Sequence, residues 1–353
     1  MTIELPLHKI GETGLMVPPI IFGSSSFGNL YAKVPYEVKL ETGRQWLSQT
    51  MGPVVIDSAG KYGAGMSLMN IGKVLRELEV DPKRVIISNK LGWKQVPLKG
   101  PEPTFEVGVW HGLDHDATNT ISYQGILDCH EQGKKLLGQP YAPQMLSVHD
   151  PDEYLMVAKN ADERQARFEN VIGAYQALAK LKASGEVKAI GIGAKNWRVA
   201  KEISEKVKLD WVMLACALTP YQHERELIEF VEQLHRKGIA VINSAVFNGG
   251  FLTGGDYFDY RLLDPIADRE IFEWRDKFNN LCRHFGVKAN EVCVQFGMQL
   301  QGVIATALNT TRPERIIDNI KAVTAIIPHD FWTAMKEQQL ISKDYPFNTG
   351  VPS

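Results

Sequence analysis

Several features that mark large classes of protein are missing from this chain. Cysteine is scarce: Cys129, Cys216, Cys282 and Cys293 are scattered over 353 residues with no Cys-x-x-Cys pair, which argues against a disulfide framework or a structural zinc site. Neither sign of charge dominates. The 39 Lys plus Arg against 41 Asp plus Glu leave a net charge of -2, so there is no electrostatic footprint for nucleic acid or anionic lipid. No run approaches the roughly 18 consecutive apolar residues of a membrane span. The start, Met-Thr-Ile-Glu-Leu-Pro-Leu-His-Lys, lacks the basic-then-apolar order of a signal peptide, so the expected location is the cytoplasm. A fixed-period repeat is also missing, and so is a Gly-x-Gly-x-x-Gly fingerprint. Gly191-Ile-Gly193-Ala-Lys-Asn196 and Gly60-Lys-Tyr-Gly63-Ala-Gly65 only come near it. The remaining composition, 44% hydrophobic and 23% charged, is that of a folded globular chain, and an enzyme is expected.

Eight short apolar runs alternate with helix-period stretches. The expected strands are Pro19–Gly23, Val54–Ala59, Val85–Leu91, Met145–Asp150, Ala189–Ala194, Trp211–Ala215, Ala240–Ala245 and Val303–Ala307. Each is nearly continuous in apolar residues, as parallel strands buried on both faces are. Between them, Ala161–Ser184 puts Phe168, Val171, Ile172, Tyr175, Leu178, Ala179 and Leu181 on one face before Gly185, and Glu224–Lys237 does the same before Gly238. Eight such units without a composition break predict one α/β domain over residues 1–353, a (β/α)8 barrel. Two spacers exceed a bare helix, Gly92–Thr120 and Phe247–Arg269. Both follow strands, the third and the seventh, and so belong to the carboxyl-end face where barrel enzymes keep their chemistry.

Four chemically able residues fall at strand ends: Asp57 on the second strand, Tyr62 five residues later, Lys90 on the third and His149 on the fourth. In a barrel these ends are neighbours, so an acid, a phenol, an ammonium and an imidazole converge on one mouth. Taken singly, Asp57 also reads as a helix cap, Lys90 as a strand-end charge and His149 as a core histidine. Together they read as a site. Lys90 needs a partner if buried, and Asp57 is in place to provide one. A phenol titrates near 10; an adjacent ammonium is expected to lower it, making Tyr62 a general acid or base. His149 would orient a substrate oxygen.

The whole chain resembles the aldo-keto reductases, in particular the branch of D-threo-aldose, L-fucose and L-galactose dehydrogenases. His8-Lys-Ile-Gly-Glu-Thr-Gly-Leu15 is similar to the family's amino-terminal hairpin. Asp57-Ser-Ala-Gly-Lys-Tyr62-Gly matches its Asp-x-Ala-x-x-Tyr-Gly motif. Ser122–Glu131 and Ser147-Val-His149-Asp-Pro-Asp152 match the approach to and end of its fourth strand. Ala177–Gly193 is close to a family signature, and Phe331–Ile341 looks like the tail helix of the aldose dehydrogenase branch.

The resemblance implies that Asp57, Tyr62, Lys90 and His149 are the catalytic tetrad. It also implies a nicotinamide cofactor lying across the mouth, held by Ser24, Asn196, Asn243, Ser244, Val246, Asn248, Gly250, Asn309, Thr310, Arg315, Asp318 and Asn319. Asn248-Gly-Gly250 and Thr253-Gly-Gly255 can offer backbone N–H groups to a pyrophosphate, and Thr310–Ile316 reads as a capped helix start. The chain departs from the family at several points: Lys195-Asn196 replaces Ser-Asn, Met213 a Gln, Asn243 a stacking aromatic, and Asn309 a Lys. Because a 2′-phosphate calls for fork-like cations and Arg315 is the one evident, NAD is expected over NADP. Trp93, Trp110 and His111 in the long third loop are expected at a sugar or aldehyde; a lid whose aromatics merely pack it down is the rival reading. The implied activity is oxidation of an aldose to its lactone, or reduction of an aldehyde. Two other classes stay open, a metal-dependent barrel hydrolase or isomerase using His111, His115 and His149, and a catalytically slow nucleotide-sensing protein. No metal is expected in the site itself, and the sequence does not specify an oligomeric state.

Overall fold

The eight apolar runs become eight parallel strands: β1 (Ile20–Gly23), β2 (Val54–Ala59), β3 (Val85–Leu91), β4 (Met145–His149), β5 (Ala189–Ala194), β6 (Trp211–Ala215), β7 (Ala240–Ser244) and β8 (Val303–Leu308). Each pairs with the next in sequence, and β8 pairs with β1 to close the cylinder. The structure, a computed structural model, describes residues 2–259 and 261–346; of the expected domain span 1–353, residues 1, 260 and 347–353 lie outside the described residues. The helices are α1 (Tyr36–Gln49), α2 (Met66–Glu77), α3 (Tyr123–Leu137), α4 (Pro151–Met156), α5 (Ala161–Ala183), α6 (Trp197–Ser204), α7 (Arg225–Arg236), α8 (Arg269–Phe285), α9 (Ala289–Met298), α10 (Ile316–Thr324) and α11 (His329–Glu337). None among the described residues is long and apolar enough to cross a membrane.

Strand alternation divides the side chains into an inner and an outer set. On β2, Val54 and Ile56 face the helices while Val55 packs inside with Ile21, Ile86, Met145, Trp211 and Ile242. Trp211 fills the interior because Gly191 on β5 has no side chain; a Cβ there would lie 2.2 Å from the indole. His8–Lys9 and Met16–Val17 form the expected hairpin, and its Ile10, Leu15 and Val17 join this inner cluster and cover the amino-terminal end of the barrel. Ser122 caps α3 by accepting from Gly125 N at 3.0 Å, and Asn160 caps α5 by accepting from Glu163 N at 2.8 Å. On α5 the buried face includes Ala174 and Ala177, while Ala179 is exposed, a small rotation from the expected stripe.

The long third loop is more ordered than its composition indicated. Trp93–Pro97 and His115–Asn119 pair as an antiparallel hairpin. Between its arms Phe105, Trp110 and Leu113 pack with Ala64 and Ala117 against Tyr62. Asp116 ties the loop by accepting from Thr104 N at 3.0 Å and from its hydroxyl at 2.8 Å. After β7, the second long loop carries a short turn, Phe251–Thr253, and a two-residue strand pair, Tyr257–Phe258 with Arg261–Leu262.

Candidate active site

Register sets the site. Asp57 lies opposite Ser88, Lys90 opposite Ser147, and His149 opposite Gly193, so three adjacent strands deliver their polar ends to one rim. The Lys90 ammonium donates to a carboxylate oxygen of Asp57 and, at 3.0 Å, to the Tyr62 hydroxyl. Ser88 donates to the other Asp57 oxygen at 3.1 Å. The His149 ring stands edge-on to Tyr62, with centroids 5.5 Å apart. All four sequence-predicted residues line a cavity of about 660 Å³ at the carboxyl ends of the strands. This is the address and size range of barrel ligand sites.

Electrostatics corrects one expectation. Burial raises the Tyr62 pKa above the ordinary phenol value, and Asp57 adds to this; the Lys90 ammonium pulls it down but does not prevail. Burial also works against the Lys90 ammonium, yet Asp57 and Tyr62 outweigh it and hold its pKa above the usual lysine value. Burial, helped by the charges of Lys90 and Lys61, pushes His149 well below the usual histidine value, so its imidazole is neutral at pH 7. The phenol, ammonium and carboxylate thus form one continuous hydrogen-bonded chain with a neutral imidazole beside it.

Of the expected cofactor contacts, Ser24, Ser244, Val246, Gly250, Asn309, Thr310 and Arg315 line the same cavity. Asn309 bridges back to β1's loop, accepting from the Ser26 hydroxyl and donating to that of Ser25, both at 2.9 Å. The others are placed elsewhere. Asn243 faces outward from β7: its amide donates to Leu218 O at 2.8 Å and lies against Gly297 of α9, because Ile242 takes the inward position. Asn248 is fully buried and donates to Gln222 at 2.8 Å and Asp259 at 3.0 Å, bracing its loop. Asn196 is exposed and caps α6 by accepting from Arg198 N, so it borders a neighbouring cleft, while Lys195 reaches the main cavity. Asp318 is exposed and Asn319 buried on α10, and neither lines the cavity. The N–H groups of Gly250, Gly254 and Gly255 are taken by carbonyls of their own loop.

Among the expected substrate contacts, Trp110 lines the cavity with its ring 5.8 Å from that of Tyr62. Trp93 packs behind it against Phe105, and His111 is held through its backbone by Asn29; neither lines the cavity. The sequence reading passed over Lys61, Glu106, Asp150 and Arg312, which do. Lys61 and Asp150 directly adjoin Tyr62 and His149, and Arg312 sits inside the Thr310–Ile316 stretch, so position alone could have flagged them. Glu106 carried no such signal. Among the described residues, the one group of three His, Cys, Asp or Glu residues close enough to share a metal is His130, Glu131 and Glu186, none of which lines the mouth.

The end of the cavity at β8 is suited to a dinucleotide's phosphates. Thr310, Thr311, Arg312 and Arg315 line it just before α10, with no carboxylate among them. The sequence profile described as the aldo/keto reductase family matches residues 19–339. The chain is 29% identical to pyridoxal 4-dehydrogenase of Microbacterium luteolum, over 95% of this chain and 98% of that protein. It is 24% identical to D-threo-aldose 1-dehydrogenase of a Pseudomonas species, over 93% and 96%. Its fold matches the structure of glycerol dehydrogenase from Gluconobacter oxydans with a TM-score of 0.68, at 16% identity and over 98% and 99% of the two chains.

Proposed function

From the premise that this chain belongs to the aldo/keto reductase family and is an NAD(P)-dependent oxidoreductase, we propose that its single barrel domain oxidises a small cyclic hemiacetal to a lactone, or reduces the corresponding aldehyde. Aldoses and pyridoxal share that group: in each, an internal hydroxyl closes on the aldehyde. The observation that carries the reading is the chain of hydrogen bonds from Asp57 through Lys90 to the Tyr62 hydroxyl in the cavity.

When bound, the dinucleotide supplies the hydride acceptor or donor. Thr310, Arg312 and Arg315 would hold its phosphates, and Ser24 and Asn309 its inner portion. Tyr62 takes the proton of the substrate hydroxyl in oxidation and returns it in reduction, as Lys90 steadies the phenolate and Asp57 steadies Lys90. The neutral His149 hydrogen-bonds the same oxygen and fixes its angle. Trp110 covers the substrate face and excludes water. The expectation of NAD over NADP rested on Arg315 as the sole cation; Arg312 lines the same end, so that ground for choosing is gone and the proposal is NAD(P).

Tyr62→Phe keeps the ring and removes the proton. It is expected to lower kcat by about 10²–10⁴ while leaving NADH and NADPH binding, read by fluorescence titration, within about twofold. Near-normal turnover of an aldose or of pyridoxal by this variant would dismiss Tyr62 from the role.

A further inference from the structure

The cavity is electrically uneven along its length. Arg312 and Arg315 line the β8 end, and no carboxylate lines it with them. In the middle the Asp57–Lys90 pair is neutral as a unit. At the other end Lys61, its side chain 4% exposed, is enclosed by Glu106 at 2.6 Å, Glu153 at 3.1 Å and Asp150 at 3.3 Å. The second Glu153 oxygen holds Lys195 at 2.5 Å. Two ammonium groups against three carboxylates leave one net negative charge there. Lys61, Lys195, Glu106 and Asp150 all face the cavity beside Tyr62, His149 and Trp110.

Resting on the oxidoreductase reading above, we propose that this cluster selects substrates by charge: it takes neutral, hydroxyl-bearing hemiacetals and turns away those bearing a phosphate or carboxylate. Hydroxyl groups donate to the carboxylate oxygens of the wall, whereas an added anion meets uncompensated negative charge in a half-enclosed site of low effective dielectric. Lys195 does not act as an anion receptor. Its ammonium is committed to Glu153, and Asp150 and Glu153 together hold its pKa above the ordinary lysine value against the pull of burial. Lys61 is likewise held protonated by Asp150, Glu106 and Glu153, although burial opposes it. Asp152, a fourth carboxylate outside that count, lies behind the cluster, accepting from the backbone N–H groups of Lys195 and Asn196 at 3.1 and 2.8 Å, and adds nothing to the positive side. Glu106 holds the loop in place as well: its other oxygen accepts from the Trp110 indole at 2.6 Å.

The test compares kcat/KM, with the preferred dinucleotide, for the best neutral aldose, its 6-phosphate and its 6-carboxylate, all of which retain the hemiacetal ring. The neutral sugar is expected to lead each anion by more than about tenfold. Glu153→Gln removes one charge without altering a residue that lines the main cavity and is expected to shrink that ratio about tenfold, the effect of a unit charge about 10 Å away at an effective dielectric of about 20. If this variant does not fold, the wild-type ratio is followed as salt rises to about 0.5 M, where screening should lower it. A wild-type ratio near one, a ratio unchanged in Glu153→Gln, or a ratio flat with salt would overturn charge selection alone. Absence of any nicotinamide absorbance change with neutral aldoses and with pyridoxal would overturn the oxidoreductase reading along with it.

Discussion

Lys39 shows how one buried charge can strain this fold. The residue is 5% exposed, and its ammonium donates to Asn29 Oδ1 at 2.8 Å. Burial, with Lys33 adding repulsion, lowers its pKa from 10.5 to about 8. The unfolded chain therefore binds more protons between those two values, so this residue makes stability rise with pH across that window and is a full burden below it. Lys39→Met is expected to stabilise the protein at pH 7 by about 1–3 kcal/mol. In thermal melts the gain should shrink steadily from about pH 8 to about pH 10.5. A gain independent of pH would show that the lysine is solvated in the native state and keeps its ordinary pKa. The residue has a structural reason to be polar: the Asn29 it holds also donates to His111 O at 2.9 Å and so tethers the loop that carries Trp110.

At the scale of elements, the turn bearing Tyr62 is located by backbone touching backbone. A Cβ on Gly28 would lie 2.6 Å from the Tyr62 carbonyl carbon, and one on Gly63, whose φ is +60°, would lie 2.4 Å from Gly28 O. Only hydrogen atoms fit between these two turns. Gly28→Ala is expected to push Tyr62 away from Lys90, lowering kcat at least about tenfold and costing about 1–3 kcal/mol in stability, with secondary structure by circular dichroism retained. Normal kcat in this variant would mean that the turn can shift without moving the phenol. That Asp57, Tyr62, Lys90 and His149 meet at one mouth was legible in the sequence because strand ends in a barrel are neighbours by topology. The eight strands were legible for a related reason, their unbroken apolar character. The inward and outward phase was not legible at the end of β7: Ile242-Asn243-Ser244 puts two polar residues in succession, with no alternation from which to tell that Asn243 faces α9. Glu106 and the hairpin of Trp93–Pro97 were hidden because a loop rich in Pro and Gly has no period at all. Non-glycine residues with left-handed backbone gather around the mouth, among them Tyr31 at φ 60°, Glu106 at 44°, Asp150 at 47° and Ala245 at 51°. Such conformations persist where surrounding contacts enforce them.

At the scale of the whole molecule, the resemblance of the complete chain to sugar dehydrogenases anticipated the family, and the proposal of a hemiacetal substrate takes in what the aldose and pyridoxal relatives are named for. The amino-terminal hairpin stoppers the cylinder at one end with Ile10, Leu15 and Val17. Among the described residues, traffic to the cavity is thus left to the doorway at the opposite, carboxyl end. In the proposed reading the dinucleotide would lie along the floor of that doorway and the hemiacetal above it, so the two would enter and leave in a queue. Initial-rate studies should find the reduced dinucleotide competing with the oxidised one at every substrate concentration, and the lactone not competing with the dinucleotide. A random order of arrival would mean that the vestibule is wide enough for both to pass.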